Sequence, residues 1–160
     1  MTSAVPCSCF HPRRGCRGTA VVEFAVATPL LLLLLLATAE LGRAFLQYTI
    51  LSYAVREAAR FASENSIDGQ TGLVVVSTQT ATSTRNLAVY GNVGGTGSPR
   101  LPSFATGQVA VQASGGTNVT VAATYPYVPL VGASLPAFGL GDPISLTINL
   151  QIVTTMRAIS

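Results

Sequence analysis

One stretch of this sequence limits the possible folds more than any other. It is an apolar run of twenty residues, Ala20 to Ala39, with seven consecutive leucines and one charge, Glu23. Crossing the roughly 30 Å hydrocarbon core of a bilayer takes about 20 helical residues at ~1.5 Å each. The uncharged part, Phe24 to Ala39, has only sixteen. The run therefore predicts a membrane-spanning helix with Glu23 at or just inside the cytoplasmic edge.

The same run also fits a cleaved secretory signal, with Ala37-Thr38-Ala39 as the cleavage motif and Glu40 as the first mature residue. Two features favour a retained anchor. The run is longer than the ~7–15 apolar residues usual in a secretory signal. Helix-forming sequence also continues past the motif, and it predicts one helix from Thr19 to Glu64.

Pro29 lies inside the apolar part of this helix. A proline removes the backbone donor that would bond the carbonyl four residues earlier, here that of Ala25, and its ring clashes there. The sequence therefore predicts a helix kink or local unwinding at Pro29. Prolines are tolerated in membrane helices, so this residue does not argue against the span.

The excess positive charge of the chain lies in front of the helix. Arg13, Arg14 and Arg17 precede Thr19 without an acidic residue, whereas six arginines balance six acids from Thr19 onward. Excess arginine beside a membrane helix marks its cytoplasmic end. Because the basicity is confined to this segment, it does not indicate nucleic-acid binding. Residues 1–18 are predicted to be a basic cytoplasmic leader.

All three cysteines also precede the helix. Cys7, Cys9 and Cys16, together with His11, could in principle bind zinc. Their spacing matches no standard zinc site, and the segment is rich in proline and arginine. We therefore expect no metal and no cofactor.

The chain beyond the apolar run offers little catalytic chemistry. It has no histidine, cysteine, lysine or tryptophan, and its acids are few. A general base near neutrality, a nucleophile with its base and a metal cluster are therefore all lacking from this part of the sequence. The protein is predicted not to be an enzyme.

After the apolar run the predicted helix becomes amphipathic. We expect its last three turns to pack on a head domain, because the residues there are small. Glu40 and Arg43, and Glu57 and Arg60, are spaced to pair on the helix surface. Apolar and small residues recur along one stripe at alternating spacings of four and three: Leu41, Phe45, Tyr48, Ser52, Val55, Ala59 and Ala62.

The remaining sequence predicts a second helix ending at Tyr90, before Gly91, although Val74 to Val76 could instead form a strand. Strand signals dominate afterwards. They predict a hairpin of residues 108–113 and 118–125 around a Ser-Gly-Gly turn, and a last strand from Ile144 to Arg157. A long helix followed by a short helix and a small antiparallel sheet is an α+β fold.

Glu23 is the one costly group of the apolar segment. A carboxylate in a membrane segment usually marks function and needs a partner. If the chain were cut after Gly18, the new amine of Thr19 would lie close to Glu23 along the helix. The carboxylate could then pair with the amine of its own chain or with that of a neighbouring subunit. Alternatively, it snorkels into the lipid headgroups.

Several of these segments resemble the TadE-like pseudopilins (minor pilins) of the tight-adherence (Flp) pilus, which are related to type IV pilins. The helical half carries the more specific part of the resemblance, and the strands carry a weaker part. The matching segments are residues 17–24, 29–30, 40–45, 54–62, 119–121, 125–130 and 155–157.

The resemblance implies a structural or assembly role in a Flp pilus. A prepilin peptidase would cut between Gly18 and Thr19, and Glu23 would act in subunit assembly through N-terminal amine pairing. The partners would be the bacterial inner membrane, the peptidase and other pilin subunits. The alternative is a signal-anchored or secreted surface-binding protein that is not part of a pilus.

The implied organisation is a cytoplasmic leader over residues 1–18, a transmembrane helix over 19–41 and an exported pilin-like head over 42–160. The head includes the continuing helix 42–64. The N-terminus would be cytoplasmic and the head periplasmic or extracellular, either held at the inner membrane or carried into the surface pilus.

Overall fold

The computed structural model describes residues 17–68, 73–130, 132–135 and 141–158. The leader proposed over residues 1–18 therefore lies almost wholly outside the described residues. So do Cys7, Cys9, His11 and Cys16, on which the zinc alternative depended.

The first helix, α1 (Arg17–Glu64), has 48 residues and dominates the fold. Its bounds confirm the predicted long helix, and the helical conformation continues through Pro29. The predicted stripe is buried from Val55 onward, which confirms packing of the last turns on the head. Nearer the apolar run, however, the stripe faces outward: Leu41, Phe45 and Tyr48 are 58%, 63% and 46% exposed.

The second helix, α2 (Thr78–Tyr90), ends where the sequence predicted. Ser77 caps its start, accepting a hydrogen bond from the Thr80 backbone N–H at 3.0 Å. Gly91 ends it with φ +76°, a left-handed conformation that glycine adopts at little cost. The alternative strand at 74–76 is wrong, because that segment makes only an isolated bridge from Val74 to Ile67.

A three-stranded antiparallel sheet follows, in the order β1 (Val109–Ser114), β2 (Asn118–Pro126) and β5 (Asn149–Arg157). The predicted hairpin is confirmed, with Ser114 opposite Asn118 at the turn. The single last strand predicted for residues 144–157 is wrong. It is divided into β4 (Ile144–Ser145) and β5, and β4 pairs with β3 (Ser134–Leu135) in a separate small sheet.

The division of the last strand follows from its partner. Strand β2 ends at Pro126, which has no backbone N–H and pairs with Asn149. The Tyr127 N–H still bonds the Ile148 carbonyl at 2.9 Å, and earlier residues pair elsewhere: the Leu146 N–H bonds the Ala133 carbonyl, also at 2.9 Å. Residues 144–157 are therefore divided in the structure, although the sequence predicts one strand.

The core lies between one face of the three-stranded sheet and the two helices. Alternate residues of β2 point into it, and the buried ring of Tyr125 meets Phe104 edge to face at 5.8 Å between centroids. The Tyr125 hydroxyl donates to the Pro102 carbonyl at 2.9 Å, so its polar end is satisfied. Helix α1 contributes Leu51, Val55, Ala58, Ala59 and Ala62 to this core.

An ion pair fastens the loop after α2 to the same helix. Arg100 donates to the Glu57 carboxylate at 2.7 Å, so the acid predicted to pair along the helix with Arg60 binds a residue from another element. Gly91 lies beneath Arg100, and a Cβ atom added to that glycine would come within 2.7 Å of Arg100 Nη2. The fold thus begins with an apolar helical segment that the head does not cover, and it ends as a small α+β head built around the second half of the same helix.

Candidate functional site

The N-terminal part of α1 is an exposed apolar surface. An 18-residue window within Gly18–Glu64 reaches a mean hydropathy of 2.4, and none of it is buried against the rest of the protein. By length and composition, this is a helix that can cross a membrane. Large apolar side chains along it are 47–74% exposed where no head residue covers them, among them Val26 and Leu32.

The residues singled out from the sequence lie along this exposed segment. Gly18 and Thr19 are the second and third residues of α1, in the first helical turn, whose N–H groups have no acceptor within the helix. Thr19 and Glu23 are four residues apart, so they share one helix face. Glu23 is exposed and makes no ion pair with another described residue. Pro29 follows further along, and none of the four reaches the head.

A polar junction, which sequence reasoning missed, lies where the apolar run ends. Glu40 is only 4% exposed, although it was predicted to pair with Arg43 on the helix surface. Its carboxylate accepts a hydrogen bond from the Tyr127 hydroxyl and another from the Leu130 backbone N–H at 2.8 Å. A buried carboxylate needs such donors because burial removes its water. Glu40 thereby ties α1 to the segment that follows β2.

Other groups complete this junction. The Gln47 amide, about two helical turns further on, donates to the Val128 carbonyl at 3.5 Å. Burial raises the pKa of Tyr127 to about 12, and the hydrogen bond to Glu40 and the charge of that carboxylate add to the rise. The positive charge of Arg43 acts in the opposite direction on the pKa of Tyr127. The junction therefore keeps Tyr127 protonated and able to donate.

Two features of the sequence relate to this junction. Glu40 is a lone carboxylate at the end of an apolar run, as Glu23 is at its start, and such a residue calls for a named partner. The Tyr-Pro-Tyr segment that supplies the partner was among the pieces of the family resemblance. Nothing in the sequence linked the two, because their contact spans 87 residues.

A shallow apolar groove lies between α1 and strand β5, next to the junction. It encloses about 240 Å³ and is lined by Leu41, Ala44, Phe45, Tyr48 and Leu150. In residues 17–68, 73–130, 132–135 and 141–158, no group of three or more His, Cys, Asp or Glu side chains is placed to hold a metal ion. The arrangement of these surfaces suits contact with apolar partners.

Residues 18–60 match the family model described as TadE-like protein. Over this segment, the chain is similar to TadE-like proteins. No curated protein and no solved structure matches the chain. The match confirms the helical part of the resemblance drawn from the sequence, and it begins at Gly18, the residue expected to precede the cleaved bond.

The TadE-like match covers the exposed segment, the Glu40 turn and most of the buried face of α1. It ends before α2 and the sheet. The matched family is a pilus component family, and the exposed apolar part of α1 is long enough for single-pass membrane anchoring. Enzymes are not known in it.

Proposed function

We propose that this chain is a TadE-like pseudopilin, a minor pilin that serves as a non-enzymatic structural and assembly component of a tight-adherence (Flp) pilus. The observation that carries the proposal is the continuous helix α1. It presents a bare apolar segment of membrane-spanning length and then becomes part of the core of a small α+β head. Residues 18–60 of this helix match the TadE-like family.

The proposed processing site is the bond between Gly18 and Thr19. Its place in the first helical turn supports cleavage, because that turn lacks a full set of intrahelical hydrogen bonds and opens most easily. Cleavage there would create an amine on the helix face that carries Glu23. Pairing of Glu23 with that amine, on its own chain or on a neighbouring subunit, would neutralise the only acid of the apolar segment.

In the proposed topology, residues 1–18 are a cytoplasmic leader and residues 19–41 cross the inner membrane once. The head, residues 42–160, lies on the periplasmic or extracellular side. The arginines before Thr19 support this orientation by the positive-inside rule. The proposed partners are the inner membrane, the prepilin peptidase and other pilin subunits.

The N-terminus of the mature protein tests this proposal. Intact mass and N-terminal sequencing of the protein from its native host are expected to show Thr19 as the first residue. A chain that starts at Glu40 would identify a secreted protein, and an uncut chain would identify an ordinary signal anchor. The buried position of Glu40 against Tyr127 and Leu130 argues against the cut before Glu40, because that cut would place a second charged group, the new amine, inside the junction.

The role of Glu23 has a separate test. The Glu23→Val variant is expected to insert into the membrane normally and to lose pilus assembly, because the pairing carboxylate is gone. Glu64→Val is the matched control, since it removes an exposed acid from the same helix outside the membrane segment. Normal piliation with Glu23→Val would refute the pairing role, whatever the outcome of the cleavage test.

A further inference from the structure

The head has an apolar surface next to the end of the membrane segment. Leu130, Ile144 and Ile148 are 71%, 53% and 49% exposed there; we call these three residues the membrane-proximal surface. The two isoleucines line a groove of about 320 Å³ together with residues of the head and of α1, the latter including Ala37 and Leu41. The apolar run of the sequence and this surface of the head therefore adjoin.

Hydrogen bonds fix the height of this surface along α1. The Leu130 backbone N–H bonds the Glu40 carboxylate at 2.8 Å, and the Tyr127 hydroxyl bonds the same carboxylate. The Tyr127 backbone N–H in turn bonds the Ile148 carbonyl at 2.9 Å. Leu130 and Ile148 are thereby held at the level of Glu40, the residue that ends the apolar run.

The length of the apolar run places the bilayer surface at or beyond this level. The uncharged residues from Phe24 to Ala39 span about 24 Å, whereas the hydrocarbon core is roughly 30 Å thick. One flanking acid must therefore lie at the depth of the lipid chains or at their boundary. Glu40 tolerates such a position, because it is 4% exposed and has two protein donors.

The next turn of α1 agrees with this placement. Leu41 and Phe45 are 58% and 63% exposed, so the apolar surface of the helix extends past Glu40, and both residues line a groove with Leu150 of the head. A bilayer that covers these side chains also reaches the membrane-proximal surface.

We propose that the membrane-proximal surface docks on the lipid bilayer at the boundary between headgroups and acyl chains. The lipid contact of α1 would then continue onto the head without a gap. From Pro126 to Ile148 the sequence holds no basic residue and one acid, Asp142, so the contact is apolar and does not select anionic lipids. This inference rests on the proposed membrane anchoring of α1.

The absence of tryptophan from the chain makes the test direct. Single tryptophans are introduced by Ile148→Trp and Leu130→Trp, and the full chain is reconstituted in phosphatidylcholine vesicles. Brominated phosphatidylcholines, with bromine either near the headgroup or near the bilayer centre, report the depth of each tryptophan. Val75→Trp is the control for an exposed head position, since Val75 is 53% exposed and lies beyond the far end of α1, at least 36 Å or so from Glu40.

We expect the Ile148→Trp and Leu130→Trp proteins to show blue-shifted tryptophan emission. Bromine near the headgroup should quench most of this emission. Val75→Trp should keep its emission. Leu34→Trp, inside the apolar run, should be quenched by bromine near the bilayer centre. Loss of quenching in Leu34→Trp would refute the membrane span itself, and with it the proposed function.

Two other outcomes would overturn the docking while leaving the span intact. Emission of Ile148→Trp and Leu130→Trp like that of Val75→Trp would mean that the surface faces water. Blue-shifted emission without lipid quenching would mean that protein covers it, such as a second copy of the chain.

Tryptophan itself favours membrane interfaces, so a further variant is needed. Leu130→Trp is combined with Ile144→Asp and Ile148→Asp, which put charge on the same surface. Quenching by bromine near the headgroup is expected to fall in this variant. Unchanged quenching would show that the introduced tryptophan alone enters the lipid, and would overturn docking of the surface.

Discussion

The carboxylate of Glu40 and the hydroxyl of Tyr127 form a buried hydrogen bond across 87 residues of sequence. Glu40 belongs to the end of the apolar run, and Tyr127 follows the central strand of the sheet. A buried charge that loses its donor keeps the full cost of its desolvation. Loss of this hydrogen bond should therefore destabilise the head more than loss of a hydrogen bond at the surface. The contact determines where the head sits along the helix.

Removing the hydroxyl tests this contact. Tyr127→Phe is expected to lower the free energy of unfolding of the head by about 1.5–3 kcal/mol, because the donor to a buried charged group is lost. Urea unfolding of the full chain in detergent, followed by near-UV circular dichroism, measures the change. Tyr53→Phe is the control, since Tyr53 lies on α1, the helix of Glu40, and is 66% exposed. Equal stability of the two variants would contradict the assigned role of Tyr127.

The pH dependence of stability is a second test of the junction. Tyr127 has a pKa raised from 10.0 to about 12 in the folded protein, so the folded state holds its proton more tightly than the unfolded state does. The resulting stabilisation is complete below pH 10 and is lost as the pH rises towards 12. Unfolding curves across this interval are expected to show stability falling with pH, and the fall should be shallower in Tyr127→Phe.

Neighbouring groups act on the same pH interval. Burial also raises the pKa of Tyr125, so part of the fall persists in the variant. The charge of Arg43 opposes the rise at both tyrosines, while the carboxylate of Glu40 adds to it at Tyr127. Identical pH profiles for the variant and the unmodified chain would exclude Tyr127 as a source of the dependence.

The end of α2 gives a prediction that depends on backbone conformation. Gly91→Ala is expected to destabilise the head by about 1–3 kcal/mol, because a left-handed conformation strains alanine and its Cβ would meet Arg100. Gly107→Ala is the matched control, since a Cβ there meets nothing within 4 Å and φ is not in the left-handed range. Thermal unfolding of both variants measures the difference, and similar melting temperatures would contradict the Gly91 assignment.

The two faces of the sheet give a prediction about packing. Val121→Ala is expected to cost about 2–3 kcal/mol, because Val121 is fully buried and the change leaves a cavity in the core. Val153→Ala, on the neighbouring strand but 66% exposed, should change stability by no more than about 0.5 kcal/mol. Denaturant titration measures the free energy of unfolding of both variants. A large loss of stability in Val153→Ala would indicate that this face is covered by a partner.

Local sequence signals predicted much of the fold. Apolar composition and the absence of proline after Pro29 were enough to predict α1, and Gly91 indicated the end of α2. The hairpin of β1 and β2 could be predicted from the alternation of apolar and polar residues and from a glycine turn. These elements are determined by residues a few positions apart, which is why a single sequence reveals them.

Contacts between distant segments could not be predicted in the same way. The stripe from Leu41 to Ala62 has one periodicity throughout, yet the head covers only its second half. Glu40 and Arg43 have a sequence spacing that suits pairing along the helix, but the Glu40 carboxylate accepts hydrogen bonds from Tyr127 and Leu130. The predicted last strand alternates regularly from Ile144 to Ile152, yet it is divided because its partner β2 ends at Pro126. In each case the deciding residue lies more than twenty positions away.

The helix that carries the apolar segment also supplies the centre of the head's core, and the helical conformation runs unbroken from Arg17 to Glu64. No flexible linker joins the two parts. Any torque on the head is therefore delivered to the apolar segment as rotation about the same axis, and any pull on the head acts directly on that segment. A protein built this way transmits mechanical load between the two ends of α1, and the Glu40 junction holds the head to the helix.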